Sequence, residues 1–145
     1  MILKIFKAVW FFSLLATLAV FMYIYASVPE FVELSSDGEV IISREGFFYT
    51  TLLVMSLFNV LVFIINRLFR KEMEHFVSWF YGLIICFNFF FIIVLGFLNL
   101  YNGDERFDFN RLGFLIYGSI GLVIAWVASW PILVLARKYF VQKEV

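Results

Sequence analysis

The sequence predicts an all-α fold, an integral membrane four-helix bundle, and three observations lead to this prediction. First, four apolar segments contain no Asp, Glu, Lys, Arg or His; they span residues 8–26, 47–65, 77–98 and 112–136. Second, each has 19 to 25 residues, and a bilayer core about 30 Å thick needs roughly 20 residues of helix. Third, hydrophobic residues make up 64% of the chain and charged residues only 15%, whereas soluble domains are about 25% charged.

The four segments are predicted to be helices because they are apolar on all faces and lack the alternation of β-barrel strands. Inside lipid, a helix satisfies all of its backbone groups within one segment. The loops are too short to hold a soluble domain, so we expect residues 1–145 to form a single four-span domain. We also expect the first segment to be a retained helix, because it exceeds a usual signal-peptide core and no A-x-A-like site follows.

The longest loop, residues 28–46, has two interpretations. Asp37-Gly38 matches a type I′ turn, and apolar residues flank it at 31–34 and 40–42. One interpretation is a short extracytoplasmic β-hairpin. The alternative is a loop whose apolar residues dip into the membrane interface.

Polar side chains within the second and third segments are hydroxyls and amides. On the second segment, Ser56, Asn59 and Asn66 share one helical face, and on the third, Asn88, Gly96 and Asn99 share one. The short loop at 66–76 makes these two segments antiparallel neighbours, which brings Asn59 and Asn88 to a similar depth. One interpretation is a polar path for a solute; the other is an interhelical hydrogen bond.

The fourth segment carries small residues at Gly118, Gly121, Ala125 and Ser129, and the last three form two successive small-xxx-small steps. Small residues let helix backbones approach closely, which is the main packing device in lipid. We therefore predict a helix-contact stripe here, serving either the bundle itself or another chain.

Aromatic residues lie near the predicted segment ends, as in the belts that anchor membrane proteins at the interface. These are Trp10, Tyr23, Tyr25, Trp79, Tyr81, Tyr101, Trp130 and Tyr139.

Several classes of activity lack their required residues. One histidine, His75, cannot supply a pair of haem ligands, and one cysteine, Cys86, cannot form a redox pair. No carboxylate lies within a segment to couple transport to protons. We interpret the acids of the first and third loops as a solvated rim, with an outer cation site as the alternative. We expect no enzyme activity, cofactor, metal site or nucleic-acid partner.

The first hairpin resembles that of the SdpI-type bacterial membrane proteins. The resemblance covers residues 8–65 and depends on Pro29, on Gly38 and on Ser43-Arg44 before the second segment. The second proline and the His-aromatic pair of that family's loop are missing. The resemblance implies a bacterial inner membrane and an immunity or signalling protein, with no functional residues to transfer.

The leading functional hypothesis is a small non-enzymatic accessory or scaffold subunit, which packs beside other integral membrane subunits or beside itself. The alternative is a small channel or transporter with a polar path near Ser56, Asn59 and Asn88.

Basic residues divide unequally between the two predicted sides of the membrane. Eight lie at the termini and in the 66–76 loop, and three lie in the other two loops. The eight are Lys4, Lys7, Arg67, Arg70, Lys71, Arg137, Lys138 and Lys143. The positive-inside rule then places both termini in the cytoplasm of a multi-pass cell-membrane protein.

We predict that Ser36→Cys, in a Cys86→Ala background, reacts with a membrane-impermeant maleimide in intact cells. Met73→Cys in the same background should react only after the cells are opened, because the 66–76 loop faces inward. Labelling of position 73 in intact cells would contradict this orientation.

Overall fold

The computed structural model describes residues 2–35, 38–69, 73–103 and 109–141, and only the backbone of residues 109–111 and 137–141. Its elements are α1 (Ile2–Ser27), β1 (Phe31–Glu33), β2 (Ile41–Ser43), α2 (Arg44–Phe69), α3 (Glu74–Tyr101) and α4 (Phe109–Val141). All four helices are long and apolar enough to cross a membrane. The predicted helical fold and the β-hairpin of the first loop are both confirmed.

The helices extend beyond the apolar segments that predict them. α1 begins at Ile2 and takes in Lys4 and Lys7, and α2 runs from Arg44 through Arg67. A helix need not end where charge begins, because lysine and arginine can lay their aliphatic stems along an apolar surface and keep their charges in water. A run without charges therefore marks the apolar part of each helix, not its termini.

α3 is the central helix of the bundle. It packs most extensively against α1, then against α4 and α2, whereas α1 and α2 make few direct contacts. α1 and α3 run parallel: Ile2 and His75 lie beside the same cavity, and at the other end Ser27 donates a hydrogen bond to Asn99. The chain therefore runs up, down, up and down, with α3 contacting the other three helices.

The core consists of two apolar clusters along the bundle axis. The cluster near the hairpin includes Phe21, Val32, Met55 and Leu95, and the cluster near the start of α1 includes Trp10, Val62, Val77, Tyr81 and Ile84. Between them lie the buried polar residues Thr17, Asn59 and Asn88. A polar layer thus separates two hydrophobic layers.

Two tryptophans hold α4 against α3. The indole N–H of Trp79 donates to the backbone O of Trp126 at 3.0 Å, and the indole N–H of Trp126 donates to the backbone O of Trp79 at 2.9 Å. Gly82 makes room for this arrangement, because a Cβ there would overlap the Trp126 ring and would lie 3.0 Å from Phe6. The rest of α4 is largely exposed, with Ser119 buried.

The hairpin covers the end of the bundle opposite the start of α1. Val32 is fully buried against Phe21 and Phe47. The side-chain amide of Asn102, at the end of α3, accepts from the backbone N–H of Glu33 at 2.8 Å and donates to its carbonyl at 2.9 Å. This pair satisfies β1 backbone groups that point away from β2 and fixes the hairpin to α3.

The strand register excludes one detail of the sequence prediction. Val32 lies opposite Ile42, and Leu34 donates to the carbonyl of Val40, so the loop contains an odd number of residues. A two-residue type I′ turn at Asp37-Gly38 is therefore wrong, although Asp37 itself lies outside the described residues. Gly38 has a φ of +70° and donates to the carbonyl of Ser35. This left-handed conformation suits glycine at the end of a longer hairpin turn.

We predict that Gly82→Ala loosens α4, because the added methyl group overlaps the Trp126 ring. The expected loss is about 1–3 kcal/mol of unfolding free energy, the usual cost of overpacking. The matched control is Gly96→Ala, since a Cβ there meets nothing within 4 Å. Thermal denaturation followed by tryptophan fluorescence measures both. Equal melting temperatures for the two variants would show that the Gly82 contact does not limit packing.

Candidate functional site

A buried amide pair joins α2 and α3. Asn59 Nδ2 donates to Asn88 Oδ1 at 3.0 Å, and Asn88 Nδ2 donates back to Asn59 Oδ1 at 3.2 Å. Asn59 is 5% exposed and Asn88 is fully buried. The structure thus brings together the two asparagines that the sequence placed at a similar depth.

Helix α1 completes this network. The indole N–H of Trp10 donates to Asn59 Oδ1 at 2.9 Å, and Asn88 Nδ2 donates to Ser13 Oγ at 2.9 Å. One turn further along, Thr17 Oγ1 lies 3.3 Å from the backbone carbonyl of Asn88. Three helices therefore meet in one group of hydrogen bonds, which we call the amide network (Trp10, Ser13, Thr17, Asn59 and Asn88).

The hydrogen-bonding capacity of Asn59 is fully used. Its amide nitrogen donates to Asn88 and to the backbone carbonyl of Met55, and its oxygen accepts from Trp10 and Asn88. An asparagine side chain offers two donors and two acceptor lone pairs. No member of the network carries a charge. The arrangement therefore suits the joining of helices and leaves Asn59 no free group for a solute.

The other predicted polar residues lie elsewhere. Ser56 is exposed, whereas Asn59, three residues further along α2, is buried. Asn99 accepts a hydrogen bond from Ser27 at 2.9 Å, near the hairpin and apart from the network. Asn66 has a buried Oδ1 with no hydrogen-bond donor among the described residues. Of the three residues of the hypothetical polar path, Asn59 and Asn88 are therefore paired, whereas Ser56 is exposed and has no part in the pair.

The predicted contact stripe of α4 is divided into two parts. Gly118 and Gly121 are exposed, and a Cβ on either would meet nothing within 4 Å among the described residues. Ala125 is also exposed, but with Ser129 it lines a groove of about 510 Å³ between α1, α3 and α4. Ser129 Oγ accepts from the Trp79 indole at 3.1 Å. Ser129 is thus the member of this stripe whose side chain is hydrogen-bonded to another helix of the bundle.

The acidic loops are partly described. Glu30 and Glu45 line a polar recess of about 500 Å³ together with Ser43 and Arg44. Two further acids of the predicted rim, Glu33 and Glu39, are described but do not line this recess. The other four, Asp37, Asp104, Glu105 and Asp108, lie outside the described residues. Across the described parts of the chain, no three His, Cys, Asp or Glu side chains are grouped to hold a metal ion.

Sequence reasoning assigned Trp10 to an interfacial belt, but the structure buries it to 8% exposure in the network. A tryptophan near a segment end can lie at the membrane interface or in the core, so its position in the sequence alone could not distinguish these two locations. The pairing of Trp79 with Trp126 was likewise missed. Ser43 is one of the residues on which the resemblance to the SdpI-type hairpin depends. In the structure its Oγ accepts a hydrogen bond from the backbone N–H of Gly46 at 3.1 Å, the bond of a helix N-cap.

We predict that Asn59→Leu and Asn88→Leu each lower thermal stability, because each leaves a buried amide without its partner. The double variant should lose less than the sum of the two, with a coupling of about 0.6–2 kcal/mol, the range for hydrogen bonds between membrane helices. Ser56→Leu is the control and should change stability little, since Ser56 is exposed. Additive losses in the double-variant cycle would mean that the two amides act independently.

Comparison with known proteins gives no match: no family model, curated protein or solved structure matches this chain. These comparisons therefore do not bear on the resemblance of residues 8–65 to the SdpI-type hairpin, which stays a prediction.

Proposed function

We propose that this protein is a non-enzymatic, multi-pass subunit of the cell membrane that docks a partner helix against α4. The partner belongs to a larger membrane complex or to a second copy of the same chain. The observation that carries this proposal is the open stripe of Gly118, Gly121 and Ala125, all exposed on a helix held mainly by α3.

A bare stripe of small residues favours a helix as its occupant. In lipid, helices associate through close van der Waals packing, because lipid tails are as apolar as the side chains. α4 presents its two stripe glycines without a neighbouring side chain to fill the space. Within α3, by contrast, the space beside Gly82 is filled by Trp126. Small residues therefore serve one contact inside the chain, and Gly118 and Gly121 are suited to a second contact outside it.

The amide network favours a structural role, the joining of helices, over a role in passing a solute or ion. A pore needs polar groups that exchange partners with a passing solute or ion. Asn59 uses all four of its hydrogen-bonding positions inside the protein, and Ser56 is exposed. Asn59 and Asn88, two of the three residues that suggested a conduit, thus join α1, α2 and α3.

The orientation proposed with this function keeps both termini in the cytoplasm. α1 and α3 begin, and α2 and α4 end, at the end of the bundle opposite the hairpin. Lys4, Lys7 and Arg67 belong to that end. The remaining basic residues of the 66–76 loop and the C-terminus come next in the sequence after the apolar segments of α2 and α4. This asymmetry is the one on which the positive-inside rule depends.

We predict that Gly121→Leu lowers the mass of the native complex, because the added isobutyl group keeps the partner helix away. The expected loss is about 1–3 kcal/mol of association free energy, as for overpacking elsewhere. Val127→Phe adds the same number of carbons on another exposed face of α4 and should leave the mass unchanged. Native gels and light scattering of protein extracted in mild detergent provide the measurement.

Two results would contradict the proposal. One is a monomeric mass for the unaltered protein with no stoichiometric partner after mild extraction. The other is solute or ion flux in liposomes that Asn59→Leu abolishes while the protein stays folded, which would favour the channel or transporter instead.

A further inference from the structure

The β-hairpin has one face that the bundle does not cover. Successive side chains of a strand point to opposite faces, and Val32 of β1 is fully buried against the bundle. The register pairs Phe31 with Ser43 and Glu33 with Ile41. These four residues therefore share the face opposite Val32, and all four are exposed. We call this surface the outer face of the hairpin (Phe31, Glu33, Ile41 and Ser43).

Two large apolar side chains lie on this outer face. Phe31 is 64% exposed and Ile41 is 56% exposed. They are diagonal neighbours on paired strands, a separation of about 7–8 Å that an aromatic side chain can bridge. Together they form one exposed apolar surface at the end of the bundle. Exposed apolar patches with a polar rim are characteristic of interaction sites.

The rim of the outer face is acidic. Residues 28–46 contain four exposed glutamates, namely Glu30, Glu33, Glu39 and Glu45. Arg44 is the one basic residue in this stretch of the sequence, and its guanidinium lies 5.8 Å from the ring centre of Tyr25. Interfaces pair a surface of one charge with a surface of the other. The excess of carboxylates therefore favours a cationic partner.

A polar recess continues the outer face where β2 meets α2. Its volume is about 500 Å³, and its lining consists of Glu30, Ser43, Arg44 and Glu45. Ser43 thus belongs to both surfaces. The recess holds two carboxylates against one guanidinium, and neither carboxylate forms an ion pair or hydrogen bond with a described residue. The ammonium group of a lysine, or a second guanidinium, would balance its charge.

The edge of β2 offers backbone groups to an extended peptide. The backbone N–H of Arg44 donates to the carbonyl of Glu30, so alternate residues from Arg44 backwards pair with β1. Ile41 falls between these pairs, and its backbone N–H and C=O point away from β1. On the β1 edge, the corresponding groups of Glu33 are bound by Asn102. The β2 edge is thus the one at which a further strand can add.

We propose that the outer face and the adjoining recess bind an extended, cationic segment of a partner protein. An apolar side chain of this segment packs on Phe31 and Ile41, and its backbone pairs with β2. A lysine or arginine of the segment enters the recess beside Glu30 and Glu45. This surface lies on a different element from the helix contact proposed for α4, and it does not depend on that contact.

The first experiment tests the chemistry of the partner on the unaltered protein in phosphatidylcholine nanodiscs. Three labelled pentapeptides serve as probes: Lys-Val-Thr-Val-Lys, Glu-Val-Thr-Val-Glu and Lys-Asn-Thr-Asn-Lys. Fluorescence anisotropy should show the tightest binding for the first peptide, and this binding should weaken as salt is added. Equal affinity for the first peptide and either of the others would overturn the proposal. Equal binding of the first peptide to empty nanodiscs would also overturn it.

The second experiment tests the recess. Glu30→Gln and Glu45→Gln should each weaken binding of Lys-Val-Thr-Val-Lys about two- to fivefold, the effect of one exposed ion pair. Glu74→Gln is the matched control, because Glu74 is also exposed but begins α3 at the other end of the bundle. It should leave the affinity unchanged. Circular dichroism establishes that the variants fold, and unchanged affinity in both folded recess variants would overturn the site.

The third experiment locates the peptide and distinguishes it from a covering of lipid. In a Cys86→Ala background, Ile41→Cys should react with a water-soluble maleimide. At ten times its dissociation constant, Lys-Val-Thr-Val-Lys should slow this reaction about tenfold by mass action. The reaction of Met73→Cys, at the opposite end of the bundle, should not change.

Two outcomes of this third experiment would overturn the proposal. An unreactive Ile41→Cys would show that lipid covers the outer face, and an equal rate with and without peptide would place the peptide elsewhere. Either outcome can occur while the mass of the native complex still depends on Gly121. Failure of this inference is therefore distinguishable from failure of the proposed function.

Discussion

The amide pair of Asn59 and Asn88 is the interaction on which the arrangement of α1, α2 and α3 depends. An unpaired amide in an apolar core costs about 1–3 kcal/mol, so these two side chains must find each other. Trp10 then supplies the donor to the remaining lone pair of Asn59, and Ser13 accepts the remaining hydrogen of Asn88. Apolar packing alone tolerates several rotations and shifts of one helix along another. Directed hydrogen bonds tolerate few, so the network selects one arrangement for the two hydrophobic clusters on either side.

α4 is attached by a different principle. It has no part in the amide network, and it is held to α3 by the reciprocal bonds of Trp79 and Trp126 over Gly82. This contact is confined to one face, so most of α4 stays exposed. Because α4 is held on one face only, a groove remains beside Phe6, and Gly118 and Gly121 stay uncovered nearer the start of α4. The proposed docking surface at Gly118 and Gly121 is a consequence of how little of α4 the bundle covers.

The hairpin shows how a polar residue at a helix end can complete a fold. Asn102 satisfies both backbone groups of Glu33, while Val32 on the same strand is buried beneath it. A two-stranded sheet is marginal by itself in water. Here Asn102 beside α3 and the buried Val32 fix the sheet to the bundle. Ser43 ends β2 and caps the N-terminus of α2, so the strand leads directly into the helix.

The sequence by itself determined four helices and the antiparallel placement of Asn59 near Asn88, because apolar run length and rise per residue are local properties. It also indicated the hairpin, because Gly38 between two apolar runs is a local pattern. It could not assign Trp10 to the core, turn Ser56 outward, or set the hairpin register. Those outcomes depend on which helix face meets which neighbour, and segments apolar on every side carry no periodicity from which to read that face. Only the tertiary structure decided that Ser129 is used within the bundle while Gly118 and Gly121 stay open, because that division follows from where Trp79 and Trp126 meet.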